Sequence, residues 1–317
     1  NFVASVYKDK NDFLWIGNWG KGLNLVNRKT GHVTQYAPTL TGKHKIENGY
    51  VHIVFKDPDD HMWIATRNGI FVLNEKDSSF AELNSFLKIK NLPEFRNTRI
   101  RKLYKDSNNN IWIGSNNGLY RIDYKTKEVH EYLTHSYLNS ISDNLVYDII
   151  ETKDGKFWIG TVNGLNLYDP ATDSFTRYYN DPHNSYSLTS SMIINILIDR
   201  DGDMFVGTNC GLNLRKKGTK EFIHYTKKDG LPDEYIYNMI EDSTGRIWFS
   251  TNGGIGVLDK QQNKIISYTD ENGLQGLEFS GGANFKSETG EFFFGGVAGL
   301  NSFYPNVLPT NTFVPPI

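Results

Sequence analysis

Eight histidines, one cysteine and 36 carboxylates are the chain's stock for metal, nucleophilic and acid–base chemistry. Their spacing decides which of these is open to it. The histidines (His32, His44, His52, His61, His130, His135, His183 and His224) are dispersed, and with the single cysteine they make no zinc ligand set. The run DRDGD at 199–203 resembles the opening of a calcium loop but lacks the downstream bidentate Glu. Polar turns such as TKDGK and DSTGR occupy the same place elsewhere, so it reads as a hairpin turn. Cys210 would need a nearby base and a lowered pKa to act as a nucleophile, and the sequence supplies no specific candidate. No catalytic residue, metal or cofactor is expected. What remains is binding chemistry from arginine, tyrosine, asparagine and aspartate, and its meaning depends on the elements that carry it.

The 317 residues are 38% hydrophobic and 14% aromatic, with 29 glycines, a composition suited to strands and tight turns. A net charge of −2 gives no basic footprint for nucleic acid. One cysteine cannot build a disulfide framework. No apolar run approaches the ~20 residues of a membrane helix, so direct membrane contact is not expected. The chain opens at Asn1 inside a strand-like segment, which reads as a piece of something longer.

The dominant feature is a repeat. The last residues of the Trp-Ile-Gly-like triplets are Gly17, Ala65, Gly114, Gly160, Gly207, Ser250 and Gly295, at intervals of 48, 49, 46, 47, 43 and 45. A turn glycine follows each: Gly22, Gly69, Gly118, Gly164, Gly211, Gly254 and Gly299. Fourteen residues further on stand Tyr36, Leu83, Tyr132, Tyr178, Tyr225, Tyr268 and Phe313. Each unit reads as four strands, as in VYDII, FWIGT, LNLYD and SFTRYY, with Asn-Gly hairpin turns. No segment shows a convincing helical period. The reading is all-β: a seven-bladed β-propeller with four antiparallel strands per blade and a repeat of about 43–49 residues, one domain over 1–314 and a linker beginning at 315–317. Trp15, Trp63, Trp112, Trp158, Phe205, Trp248 and Phe293 fall at one equivalent site and are expected to fill the wedge between blades.

Positions that recur in every blade serve the scaffold, and positions that differ are free for a ligand. Two adjacent first-strand positions differ most: Ala4/Ser5, His52/Ile53, Arg101/Lys102, Tyr147/Asp148, Ile194/Asn195, Tyr237/Asn238 and Gly282/Ala283. The first strand of a propeller blade is the innermost, so these residues are expected at the central channel. The binding candidates are Trp19, His52, Arg67, Arg101, Tyr147, Asp148, Asn195, Tyr237 and Asn238. Trp19 enters through a one-residue insertion in the blade-one turn, and Arg67 sits in the corresponding turn of blade two. A hydrated channel without a ligand would also need polar lining, and that reading stays open. The turn amides Asn18, Asn68, Asn116, Asn117, Asn163, Asn209 and Asn252 suit sugar hydroxyls, and equally suit tight turns. Long links entering the blades add Tyr50, Tyr137, Tyr186 and Tyr235 near the expected ligand face.

At these residues the sequence resembles a known family. The pattern DGKFWIGTVNGLNLYDPATDSFTRY (154–178) is similar to the two-component regulator propeller repeat, and all seven copies fit it, blades five and seven most loosely. The resemblance implies a periplasmic sensor region of a hybrid two-component system of the Bacteroides type. It also implies a second propeller and an immunoglobulin-like domain in the same parent chain, a histidine kinase elsewhere in it, a homodimeric receptor and oligosaccharide ligands. The ending NSFYPNVLPTNTFVPPI is similar to the junction that leads into the immunoglobulin-like domain, which would make this the membrane-proximal propeller. Three functions are carried forward. The first is a non-enzymatic ligand-sensing propeller. The second is a structural or dimerisation propeller whose partner holds the ligand. The third is a propeller lyase or hydrolase.

Overall fold

The computed structural model describes residues 2–42, 45–74, 76–136 and 139–307. Each repeat folds as one antiparallel sheet with its strands in chain order, giving six four-stranded sheets and a seventh with three described strands. Blade four is representative, with strands Val146–Glu151, Phe157–Thr161, Gly164–Asp169 and Ser174–Tyr178. These are the segments its apolar runs and turns predict. The protein is a seven-bladed β-propeller. Phe313, expected in the outer strand of blade seven, and the linker at 315–317 lie outside the described residues, as do Asn1, His44 and Tyr137.

The second strands are buried along their whole length in blades two to seven, which explains their unbroken apolar runs. Their rings fill the wedges as expected. Trp63 packs with Ile100, Leu103 and Ile111 of blade three, and Trp112 with Val146, Ile149 and Phe157 of blade four. The indole N–H groups of Trp63, Trp112 and Trp248 each donate at 2.9 Å to an aspartate six residues earlier, Asp57, Asp106 and Asp242. A buried donor is thereby satisfied inside its own hairpin. The triplet glycine has a packing reason: a Cβ on Gly160 would stand 2.7 Å from Ile193 Cγ2 on the next blade's inner strand. The turn glycine has a backbone reason, since Gly164 takes φ +131°, and the Thr161 hydroxyl donates to its carbonyl at 2.9 Å.

The ring closes between its first and last blades. Arg28 of blade one makes a two-pronged ion pair with buried Glu291 of blade seven, at 2.7 and 2.9 Å. Tyr7 meets Phe285 edge-on at 5.2 Å. One departure from the strand pattern is a short helix, Leu83–Leu87, after the outer strand of blade two. Leu83 and Leu87 are buried between blades two and three. A helix of little more than one turn is too short to show a 3.6-residue period.

Candidate functional site

The inner strands carry one local device in common. In five blades the register along the first hairpin skips a residue: Val3 pairs with Asn18 and Ser5 with Gly17, and the same holds around His52, Arg101, Tyr147 and Ile194. Each is a β-bulge, and the extra residue has no partner across the ladder. A bulge re-aims its side chain, and here the bulged residue turns into the central channel. All seven residues at this position, Ala4, His52, Arg101, Tyr147, Ile194, Tyr237 and Gly282, line one cavity of about 360 Å³. That volume is in the range of small-molecule sites.

Of the nine candidates, eight stand on this wall: Trp19, His52, Arg101, Tyr147, Asp148, Asn195, Tyr237 and Asn238. Arg67 is not on it. Its guanidinium lies 4.9 Å over the Tyr50 ring, beside the cavity mouth. Trp19 is half-buried rather than an exposed platform, ringed by Phe2, Tyr50 and His52 at 5.1–5.5 Å with Arg99 at 5.0 Å over its face.

Asp148 and Asn238, the partners of two bulged residues, face between blades. Asp148 is 2% exposed. Its carboxylate accepts from Lys102 Nζ of blade three at 2.7 Å, and from Asn195 Nδ2 and the Ile196 amide of blade five at 2.7 Å each. Asn238 donates to the Ser280 carbonyl at 2.7 Å and accepts from the Gly282 amide at 2.9 Å, joining blades six and seven. Both staple the inner ring. The turn amides mostly serve the protein too. Asn116 Oδ1 accepts from Arg101 Nε at 2.8 Å, and Asn252 Oδ1 accepts from the Tyr237 hydroxyl at 2.9 Å, so two of them orient cavity side chains. Asn117 donates to Thr98 Oγ1 at 3.1 Å, and Asn68 accepts from Asn48 at 3.0 Å.

Among the wall residues outside the compared first-strand pairs are Arg99 and Tyr235, the ring of Tyr235 lying 4.5 Å from that of Tyr237. Each stands two residues before a cavity-lining first-strand position, Arg101 and Tyr237. The period of two along a strand carries the channel-facing row up to them, and that signal could have found them. Burial and the neighbouring Arg101 lower the Arg99 pKa to about 10, and burial pushes the Tyr235 phenol up to about 12. His52 is 7% exposed and neither ring nitrogen has a partner among the described residues. Burial, reinforced by Arg99, Arg67 and Arg101, lowers its pKa to about 4, so it is neutral at physiological pH.

The features outside the channel are structural. DRDGD forms a turn in which the Asp199 carboxylate accepts from the Asp201 and Asp203 amides at 3.0 and 2.9 Å, and the Lys260 ammonium lies among the three aspartates. Cys210 is an exposed turn residue. Tyr186 is exposed on a link whose backbone bonds to Phe222 on the outer side of blade five.

Fold and cavity together define a ring-shaped module with a polar central pocket. Residues 94–117, 140–163 and 230–253 match the model of the two-component regulator propeller, so these three stretches are similar to that repeat. No curated protein sequence matches the chain. Among solved structures, the extracellular domain of a hybrid two-component system from B. thetaiotaomicron is similar at 28% identity and a TM-score of 0.83, over 99% of this chain and 40% of that one. This chain therefore spans well under half the length of that relative, and it is a propeller domain related to such extracellular domains. Virginiamycin B lyase of Staphylococcus aureus (14% identity, TM-score 0.66, 95% of this chain and 94% of that one) shares the fold. So does PorZ, a surface component of the type-IX secretion system of Porphyromonas gingivalis (16%, 0.67, 96% and 46%). Among the described residues no helix is long and apolar enough to cross a membrane.

Proposed function

We propose that this propeller is a non-enzymatic sensing module in the extracytoplasmic, periplasmic part of a two-component receptor, and that its central cavity binds an oligosaccharide. The observation that carries this reading is convergence: seven residues of six types, one from each blade, meet at one cavity, five of them through a shared bulge. A scaffold has no need of six different residue types at one repeated position. The rings of Trp19, Tyr147, Tyr235 and Tyr237 and the amide of Asn195 supply apolar faces and hydrogen-bonding groups of the kind a sugar uses.

Signal transfer would be geometric. The relative's greater length leaves room in such receptors for a second propeller and an immunoglobulin-like domain, and a ligand that prefers one arrangement of these parts, or of two subunits, would bias the kinase by its differential affinity. The cavity chemistry favours binding over turnover. Its wall holds one histidine and one carboxylate among the described residues, and that carboxylate is already committed to Lys102, Asn195 and Ile196. Thermal melting of this chain against a broad panel of purified neutral and acidic oligosaccharides tests the reading. A concentration-dependent rise in Tm is expected for a ligand of the native state. Silence across the panel would instead favour a structural propeller whose ligand site lies elsewhere in the receptor.

A further inference from the structure

Of the ten arginines, Arg121 and Arg215 stand over Trp112 and Trp158, and Arg177 donates to the Ser140 carbonyl; the other seven fall into two groups. Arg28, Arg96, Arg200 and Arg246 each meet a carboxylate: Glu291, Glu82, Glu241 and Asp242. Arg67, Arg99 and Arg101 meet none among the described residues, although Arg99 and Arg101 are half-buried and all three gather at one end of the cavity. Each instead stands over a ring: Arg67 over Tyr50 at 4.9 Å, Arg99 over Trp19 at 5.0 Å and Arg101 over Tyr147 at 4.5 Å. A cation–π contact consumes none of the guanidinium's N–H donors. Arg101 uses one of these on Asn116, and among the described residues Arg67 and Arg99 form no side-chain hydrogen bond. The wall's single carboxylate is bound to Lys102, so the positive charge at this end is uncompensated. Beside it stands His52, buried and with both nitrogens unpartnered.

We infer that the arginine end of the cavity is an oxyanion subsite, and that the sensed ligand is an acidic oligosaccharide carrying a carboxylate or a sulfate ester. The inference rests on the reading that the cavity binds a saccharide, and it names the class. Fork-shaped guanidinium groups held over rings match the two oxygens of a carboxylate or the face of a sulfate. Neutral His52 adds a hydrogen-bonding group that does not compete for the anion. An anion among the arginines would relieve the mutual repulsion that lowers the Arg99 pKa. Across the channel, blade seven contributes Ser280, Gly281 and Gly282, small residues that leave room for the rest of a chain anchored on blades two and three.

The test is calorimetric titration of this chain with matched pairs: trigalacturonate against its methyl ester, and a sulfated chondroitin disaccharide against its desulfated form, with sodium sulfate alone as a third arm. At least one acidic member is expected to bind, its neutral counterpart to bind at least about tenfold more weakly, and the affinity to fall as sodium chloride is raised. Arg99→Gln and Arg101→Gln are each expected to lose about tenfold or more on the acidic member. Should either variant fail to fold, the matched pairs on the unaltered chain still decide. Equal binding of neutral and acidic partners would overturn the inference and leave the sensing function standing. Sodium sulfate binding as tightly as any acidic sugar would overturn the saccharide assignment. No binding by any member would remove both.

Discussion

The ring position of the second strand and the bulge position of the first lie in the same hairpin of every blade, yet they hold opposite kinds of information. The ring position carries Trp in five blades and Phe in two, none more than 7% exposed. The bulge position carries Ala, His, Arg, Tyr, Ile, Tyr and Gly. Seven wedges of the same shape need seven fillers of the same shape, so packing drives the ring position to uniformity. The bulge frees its residue from the ladder and aims it at a space that the whole molecule encloses once. Uniformity there would serve nothing.

The comparison can be broken at its strongest side first. Trp112→Ala removes a fully buried indole stacked on Tyr132 and tilted against Phe157, and takes one of the donors from the Asp106 carboxylate, which keeps those of Asn108 and Asn110. A loss of about 3–5 kcal/mol is expected in urea unfolding. A loss below ~1 kcal/mol would mean that the wedge is not where stability resides. Asp148→Ala tests the staple that stands beside a bulged residue. It strips acceptors from Lys102, Asn195 and the Ile196 amide, and should cost about 3 kcal/mol, below the upper limit for a buried pair because Lys102 reaches water.

The third test is a pH dependence. His52 titrates at about 4 in the fold against an ordinary 6.5, so between those values the unfolded chain takes up a proton that the folded chain refuses. Stability from this group is complete above pH 6.5 and lost as the pH falls toward 4. The loss should reach about 2 kcal/mol by pH 5. His52→Gln should flatten that part of the profile, and an unchanged slope in the variant would show that other groups carry it.

Much of this was legible in the residues. The triplets, turn glycines and outer tyrosines defined seven blades, and the variability of adjacent first-strand positions led to the cavity wall. Arg99 was missed, and Tyr235 was reached only as a link residue near the ligand face, because the comparison stopped at the most variable pair although the alternation continues two residues further. The role of Asp148 was hidden for a different reason. Its partners Lys102 and Asn195 lie on the two flanking blades, and only closure of the ring shows which residues of one repeat meet those of the next. Trp19 stood out as an insertion, but its enclosure by Phe2, Tyr50, His52 and Arg99 depends on three different blades.

The central claim is that the bulged residues serve a ligand rather than the fold, and Tyr147→Ala tests it most directly. Tyr147 is the half-buried bulged residue of blade four, under the Arg101 guanidinium. Its melting temperature should stay within a few degrees of the unaltered chain, a change under ~1 kcal/mol. The rise in Tm given by a binding acidic oligosaccharide should be lost or largely reduced. A variant that melts much earlier, or one that keeps the full ligand-induced rise, would contradict the account.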